Sequence, residues 1–165
     1  EWSSMAALLF DGAHADPLHW SSSLDCRDLE QQLHQRLMRD LTHFKGRLKR
    51  YEVWKGALHW RSLIDRCGEA IYFDAFRWAK QADPGAVLIA SEVDVLNTKP
   101  LTNAEAYHNL LYRMSAQGVP VHAVGLQAHF EHRHDQSEQD GANHGAGEDG
   151  GEQHGRHDVV FLLLD

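Results

Sequence analysis

The chain has 165 residues, 42% of them hydrophobic and 24% charged, an ordinary globular composition with enough apolar material for one packed domain. Its formal net charge of −8 argues against a nucleic-acid surface, because phosphate binding needs clustered Lys and Arg, and it neither favours nor disfavours a neutral ligand. Cys26 and Cys67 have no metal-type spacing and cannot build a disulfide framework, so two buried free thiols are expected, with pairing in an oxidising compartment as the alternative.

Residues 1 to about 25 read as irregular, with turn signals at Asp11-Gly12 and Asp16-Pro17. Ala6 to Phe10 is apolar but too short to span a membrane, and no membrane partner is expected. No Met-initiated, basic, apolar leader stands before Glu1, so a fragment or truncated product is expected, with no legible cellular address. Leu29, Leu33, Leu37, Leu41 and Phe44 then recur at helical spacing, with Asp25 and Asp28 near the start and Gly46 past the end. A β-prone run follows at Tyr51-Glu52-Val53-Trp54. Ile71, Ala75, Trp78, Ala79 and Ala82 predict a second helix, stopped by Asp83-Pro84-Gly85.

The apolar run from Ala86 to Ala90 reads as a strand buried on both faces. After a loop containing Asn97 and Pro100, a helix starting at Asn103 places Ala106, Leu110, Leu111 and Met114 on one side and ends at Gly118. Val121 to Gly125 reads as the next strand. Alternation of helix and strand implies parallel strands with right-handed crossovers, as in a doubly wound sheet or a β/α barrel. No Gly-rich phosphate loop follows a strand, which weighs against a nucleotide-binding sheet.

Beyond Phe130 the composition breaks. Residues 131–158 are His, Gly, Asp, Glu and Gln with almost nothing apolar, and read as a disordered or loosely held insertion or linker. Residues 159–165 are a possible terminal strand. His129, His132 and His134 alternate, and His144, His154 and His157 lie further along. Such clusters can bind zinc or nickel, but no acidic or Cys partner stands at a firm ligand spacing, so a solvated segment is the simpler reading and no metal or cofactor is assigned.

In a β/α barrel the functional groups gather at the C-terminal ends of the strands. That rule marks Trp54 to His59, Ser91 to Asp94, and Gly125 to Phe130. Phe76-Arg77-Trp78-Ala79-Lys80-Gln81-Ala82-Asp83-Pro84-Gly85-Ala86 resembles the helix and turn before the fifth strand of family 10 glycoside hydrolases, the β-1,4-xylanase barrel family. Gly118 to Phe130 resembles that family's sixth strand with its Gly-x-Gln-x-His-Phe signature. Tyr51-Glu52-Val53-Trp54 followed by Ala57-Leu58-His59, with Lys45-Gly46-Arg47 as lead-in, resembles its fourth. The resemblance runs from Asp28 to Phe130, three motifs in order.

What the resemblance implies is a partial (β/α)8 barrel over residues 1–130, about four βα units, since a full barrel takes about 250 residues. It implies a β-1,4-linked polysaccharide or oligosaccharide as partner, an extracellular or cell-wall setting, and hydrolysis with retention. Retention needs two carboxyl groups about 5–5.5 Å apart. The family's acid follows an Asn at the end of the fourth strand; Lys55 stands for that Asn here and Gly56 for the acid. General acid–base assistance is worth roughly 10²–10⁴-fold, so the loss is large. No Thr-Glu-Leu-Asp type motif supplies the nucleophile, and Leu163 falls at its place if the terminal run is the seventh strand. Glu92 is the best remaining carboxylate, a supporting residue with a minor claim to act as acid, while Gln127 and His129 match the residues that order the site. Trp54 is a candidate sugar platform or a core residue; Trp78 reads as core. The readings left open are a family member that is inactive or a fragment, a non-catalytic carbohydrate-binding relative, and a His-rich metal-binding segment on a degenerate scaffold.

Overall fold

The structure, a computed structural model, describes residues 5–10, 24–59, 61–96, 102–129 and 157–163. Four strands, β1 (Met5–Phe10), β2 (Arg50–Lys55), β3 (Val87–Glu92) and β4 (Ala123–His129), run parallel and lie side by side in chain order. Between them run the helices α1 (Cys26–Phe44), α2 (Ser62–Cys67), α3 (Ala70–Ala82) and α4 (Thr102–Ala116). Sequential parallel strands joined by helices are the arrangement of one side of a β/α barrel. The low-complexity residues 131–156, with His132, His134, His144 and His154, lie outside the described residues.

At the chain ends one expectation is corrected, and the possible terminal strand is present but runs in the other direction from the barrel strands. Met5–Phe10 is a strand rather than irregular chain, because its apolar run pairs in parallel with β2, Met5 against Arg50 and Leu9 against Trp54. The terminal run forms β5 (His157–Leu163), but it pairs antiparallel with β4 and places Leu163 against Ala123. A barrel strand would run parallel, so β5 is not the barrel's seventh. Leu163 lies beside the start of β4, at the end of the sheet away from the strand C-termini.

Helix α1 forms where the leucine period requires it. Asp25 caps it by accepting the Asp28 N–H at 2.8 Å, and Leu29, Leu33, Leu37 and Leu41 are at most 1% exposed. Each such side chain stabilises the fold by roughly 1.5–3 kcal/mol. Helix α3 buries Ile71, Tyr72, Ala75, Phe76, Ala79 and Ala82, while Trp78 stays only partly buried at the flank. On α4 the buried stripe is Tyr107, Leu110 and Met114, and Ala106 is exposed. The stripe turns by one residue because the Tyr107 hydroxyl donates to the Ala90 carbonyl at 2.8 Å, which brings the ring onto β3. The short α2 carries no capping side chain and no periodic apolar run, which is why the sequence does not announce it.

Cys26 opens α1 and Cys67 ends α2. They form a disulfide, with Cα atoms 5.3 Å apart. The free-thiol expectation is therefore corrected: residues 41 apart in sequence meet because both helix ends lie on the same side of the sheet. Closing a loop of that length constrains the unfolded chain, so Cys67→Ser should lower the unfolding free energy by about 3–4 kcal/mol in urea denaturation.

At the opposite end of the sheet, His122 Nδ1 lies 3.2 Å from the Leu88 N–H and Nε2 lies 3.3 Å from Lys80 Nζ, while Lys80 donates to the Pro84 carbonyl at 2.6 Å. Burial, and then the Lys80 charge, hold the His122 pKa below its ordinary value of 6.5. The folded state therefore binds this proton less readily than the unfolded state does. The stability of the neutral arrangement is fully present above 6.5 and is lost as pH falls through the folded pKa. An NMR titration should place the His122 midpoint below 6.5, and His122→Gln should flatten the acid side of the stability curve.

Candidate functional site

The register of the strands decides which side chains lie on the helix side of the sheet and which on the opposite face. Tyr51 pairs with Leu88, and Trp54 with Ala90; these residues face the helices, where the Trp54 ring meets Tyr72 edge-on at 5.2 Å. Glu52 pairs with Ile89, and Lys55 with Ser91, on the other face. The ladder shifts register between Glu52 and Trp54, so Val53 is the extra residue of a bulge. Without the bulge, Trp54 would alternate onto the face of Glu52. With it, Trp54 turns into the helix layer, 0% exposed, and cannot offer a platform to a sugar. Its Nε1–H finds no hydrogen-bond partner among the described residues.

Gly56 follows at the end of β2. It is buried, has φ +75°, and donates its N–H to the Ser91 carbonyl at 2.9 Å. Positive φ is the left-handed region that glycine enters without a Cβ penalty. The chain turns there, and the His59 N–H returns to the Gly56 carbonyl at 3.2 Å. Lys55, the last residue of β2, is partly exposed.

Glu92 ends β3 and is 0% exposed. Its Oε2 accepts the Leu58 N–H at 2.8 Å, and its Oε1 accepts the Val93 N–H at 2.9 Å. His59 Nδ1 also stands 2.9 Å from Oε1. Both carboxyl oxygens thus act as acceptors, which makes Nδ1 the protonated nitrogen of the imidazole and turns Nε2 towards Asp94 Oδ2, 3.9 Å away. The His59 side chain is 28% exposed and that of Asp94 is 50% exposed. Asp94 itself sits at φ +52°, a turn conformation that Asp tolerates better than most residues. Glu92 is therefore a positioning residue that ties the turn after β2 to the turn after β3.

Tyr107 lies beneath this tie. Burial, reinforced by Glu92 and Glu52, raises its phenol far above the ordinary tyrosine value, so it remains an O–H donor to Ala90. Strand β4 carries the backbones of Gln127 and His129 to the same end of the sheet, paired with Val159 and His157, and Glu92 is level with Leu126. The structure thus brings positions 54, 55, 56, 92, 127 and 129 to adjacent strand ends, but turns Trp54 into the helix layer. His59 and Asp94 lie within the marked stretches, yet neither carries a signal of its own. Their pairing appears only once β2 and β3 are in register. Among the described residues no group of three or more His, Cys, Asp or Glu is placed to hold a metal ion.

A family model described as Glycosyl hydrolase family 10 matches residues 14–144. Endo-1,4-beta-xylanase 3 of Arabidopsis thaliana is 31% identical over 113 residues, 68% of this chain and 15% of that protein. Native xylanase 10B from Thermotoga maritima has a TM-score of 0.65 at 26% identity, over 75% of this chain and 39% of that one. Xylanase 10B from Thermotoga petrophila in complex with xylobiose matches at 0.65 and 25% identity, over the same shares. The chain thus spans well under half the length of these proteins.

Glu92→Ala should strand two backbone N–H groups and the imidazole, lowering stability by about 3 kcal/mol in chemical denaturation, with Glu92→Gln losing less because it keeps the shape and one acceptor. In ¹⁵N spectra of the imidazole, the Nδ1–H tautomer of His59 should be seen in the parent chain and lost in Glu92→Ala.

Proposed function

This chain belongs to glycosyl hydrolase family 10, and on that footing we propose that it forms one wall of a β-1,4-xylan-binding cleft without supplying the acid that cleaves the bond. The xylan substrate class is supported by relatives named endo-1,4-beta-xylanases and by a similar structure that holds xylobiose. The cleft lies at the C-terminal ends of β2, β3 and β4. There Lys55, Gly56, His59 and Asp94 stand on the buried Glu92 tie, and Gln127 and His129 continue the wall.

Gly56 is the observation that carries the inactive reading. Retaining hydrolysis needs a carboxylic acid beside the glycosidic oxygen. Position 56 has no side chain, and its φ of +75° is a conformation that glycine enters without a Cβ penalty, which supports this reading. Glu92 does not replace the acid, since its oxygens are committed to Leu58, Val93 and His59. Catalysis is lost at that point, whereas the polar strand ends that meet hydroxyl groups are kept.

Incubated with xylohexaose, the chain should release no shorter sugars above the buffer control, while the His59 imidazole signals shift on titration. Release of xylobiose or xylotriose by the unmodified chain would overturn the reading. The double variant Lys55→Asn, Gly56→Glu should be less stable by about 1–2 kcal/mol, because a side chain is forced into the left-handed region. It should remain inactive, since no nucleophile motif accompanies it in these 165 residues.

A further inference from the structure

Away from the strand ends, an open groove of about 350 Å³ runs along the outer surface between α1 and α3, lined by Arg27, Glu30, Gln31, His34 and Trp78. It lies apart from the strand-end cleft, with Trp78 packed by its inner side on the core. Trp78 breaks the buried pattern of α3, whose other large apolar residues Ile71, Tyr72, Phe73 and Phe76 are almost fully covered. The indole instead stays partly exposed, and the His34 ring stands 5.1 Å away at 67° to it. That edge-on contact fixes the orientation of the indole.

The groove's composition points to its ligand. A partly exposed indole with hydrogen-bonding groups around it suits a pyranose, which stacks its C–H face on aromatic surface and offers hydroxyls to the rim. Arg27, Glu30 and Gln31 are exposed and supply two-sided donors and acceptors, and the Arg and Glu charges offset one another. A neutral ligand meets no net charge there, whereas an anionic polymer meets a chain of net charge −8. The groove is shallow and open, which admits a polymer lying across it. Its α1 wall is held in place from the N-terminal end, because Cys26, next to Arg27, is tied to Cys67. A wall held in place before binding loses less entropy when the ligand arrives.

We propose that this α1–α3 groove is a second binding site for β-1,4-linked xylo-oligosaccharide, separate from the strand-end cleft and using Trp78 as its stacking platform. The ligand class rests on the family reading given above; the site rests on the groove. Two-dimensional NMR of the full chain during titration with xylohexaose tests it. The Trp78 indole N–H and the Gln31 amide should shift together in a saturable way. Trp78→Ala should weaken the affinity reported by Gln31 roughly three- to tenfold, the range expected from losing one aromatic contact. Because Trp78 also packs on the core, the exposed double variant Arg27→Ala, Gln31→Ala provides a second measurement, with the Trp78 signal as reporter and the same weakening expected in a folded protein. If saturating xylohexaose leaves Trp78 and Gln31 unmoved, or if both variants bind as the parent does, the site does not exist. Shifts confined to His59 would overturn the groove and leave the cleft standing. Shifts confined to Trp78 and Gln31 would do the reverse.

Discussion

A single buried carboxyl group, that of Glu92, ties the ends of two neighbouring strands. It takes the N–H of Leu58 and the imidazole of His59 from the turn after β2, and the N–H of Val93 from its own strand end. A carboxyl group removed from water is costly unless its lone pairs are satisfied, and here the satisfying groups are the ones whose positions define the site. The same interaction selects the His59 tautomer and presents Nε2 to the exposed Asp94. Beneath it, Tyr107 ties α4 to the carbonyl of Ala90, so helix and strand end are held together.

Above that tie, two local departures from regular strand geometry set what the site offers. The bulge at Val53 sends Trp54 into the helix layer and returns Lys55 to the opposite face beside Ser91. The positive φ of Gly56 then turns the chain so that Leu58 and His59 meet Glu92. The glycine is thus part of the backbone path that brings the turn onto Glu92. A glutamate there would have to be accommodated by changing the turn that the Glu92 tie stabilises.

Much of this fold is legible in the residues. The leucine period of α1, the Asp83-Pro84-Gly85 stop after α3 and the apolar run of β3 each dictate their element locally, because burial and chain stiffness act over a few residues. Three motifs in order then identify the barrel family. Features that depend on a distant partner are not legible. β1 is a strand because β2 lies beside it; Cys26 meets Cys67 only after α1 and α2 are placed; β5 runs antiparallel because of its pairing with β4. The site divides in the same way. Gly56 and Glu92 can be read from their places at strand ends, but the loss of Trp54 to the helix layer follows from a bulge that periodicity does not reveal, and His59 is recruited across 33 residues of sequence.

As proposed, this family 10 chain keeps a sugar-binding strand end while glycine stands where the acid belongs. A crystal structure of the chain grown with xylotriose tests that claim most directly. An intact trisaccharide is expected across the C-terminal ends of β2, β3 and β4, with Gly56 at positive φ, Glu92 still bound to Leu58 and His59, and no carboxyl group of the chain beside a glycosidic oxygen. A carboxyl group within hydrogen-bonding distance of that oxygen, or a cleaved sugar in the cleft, would contradict it.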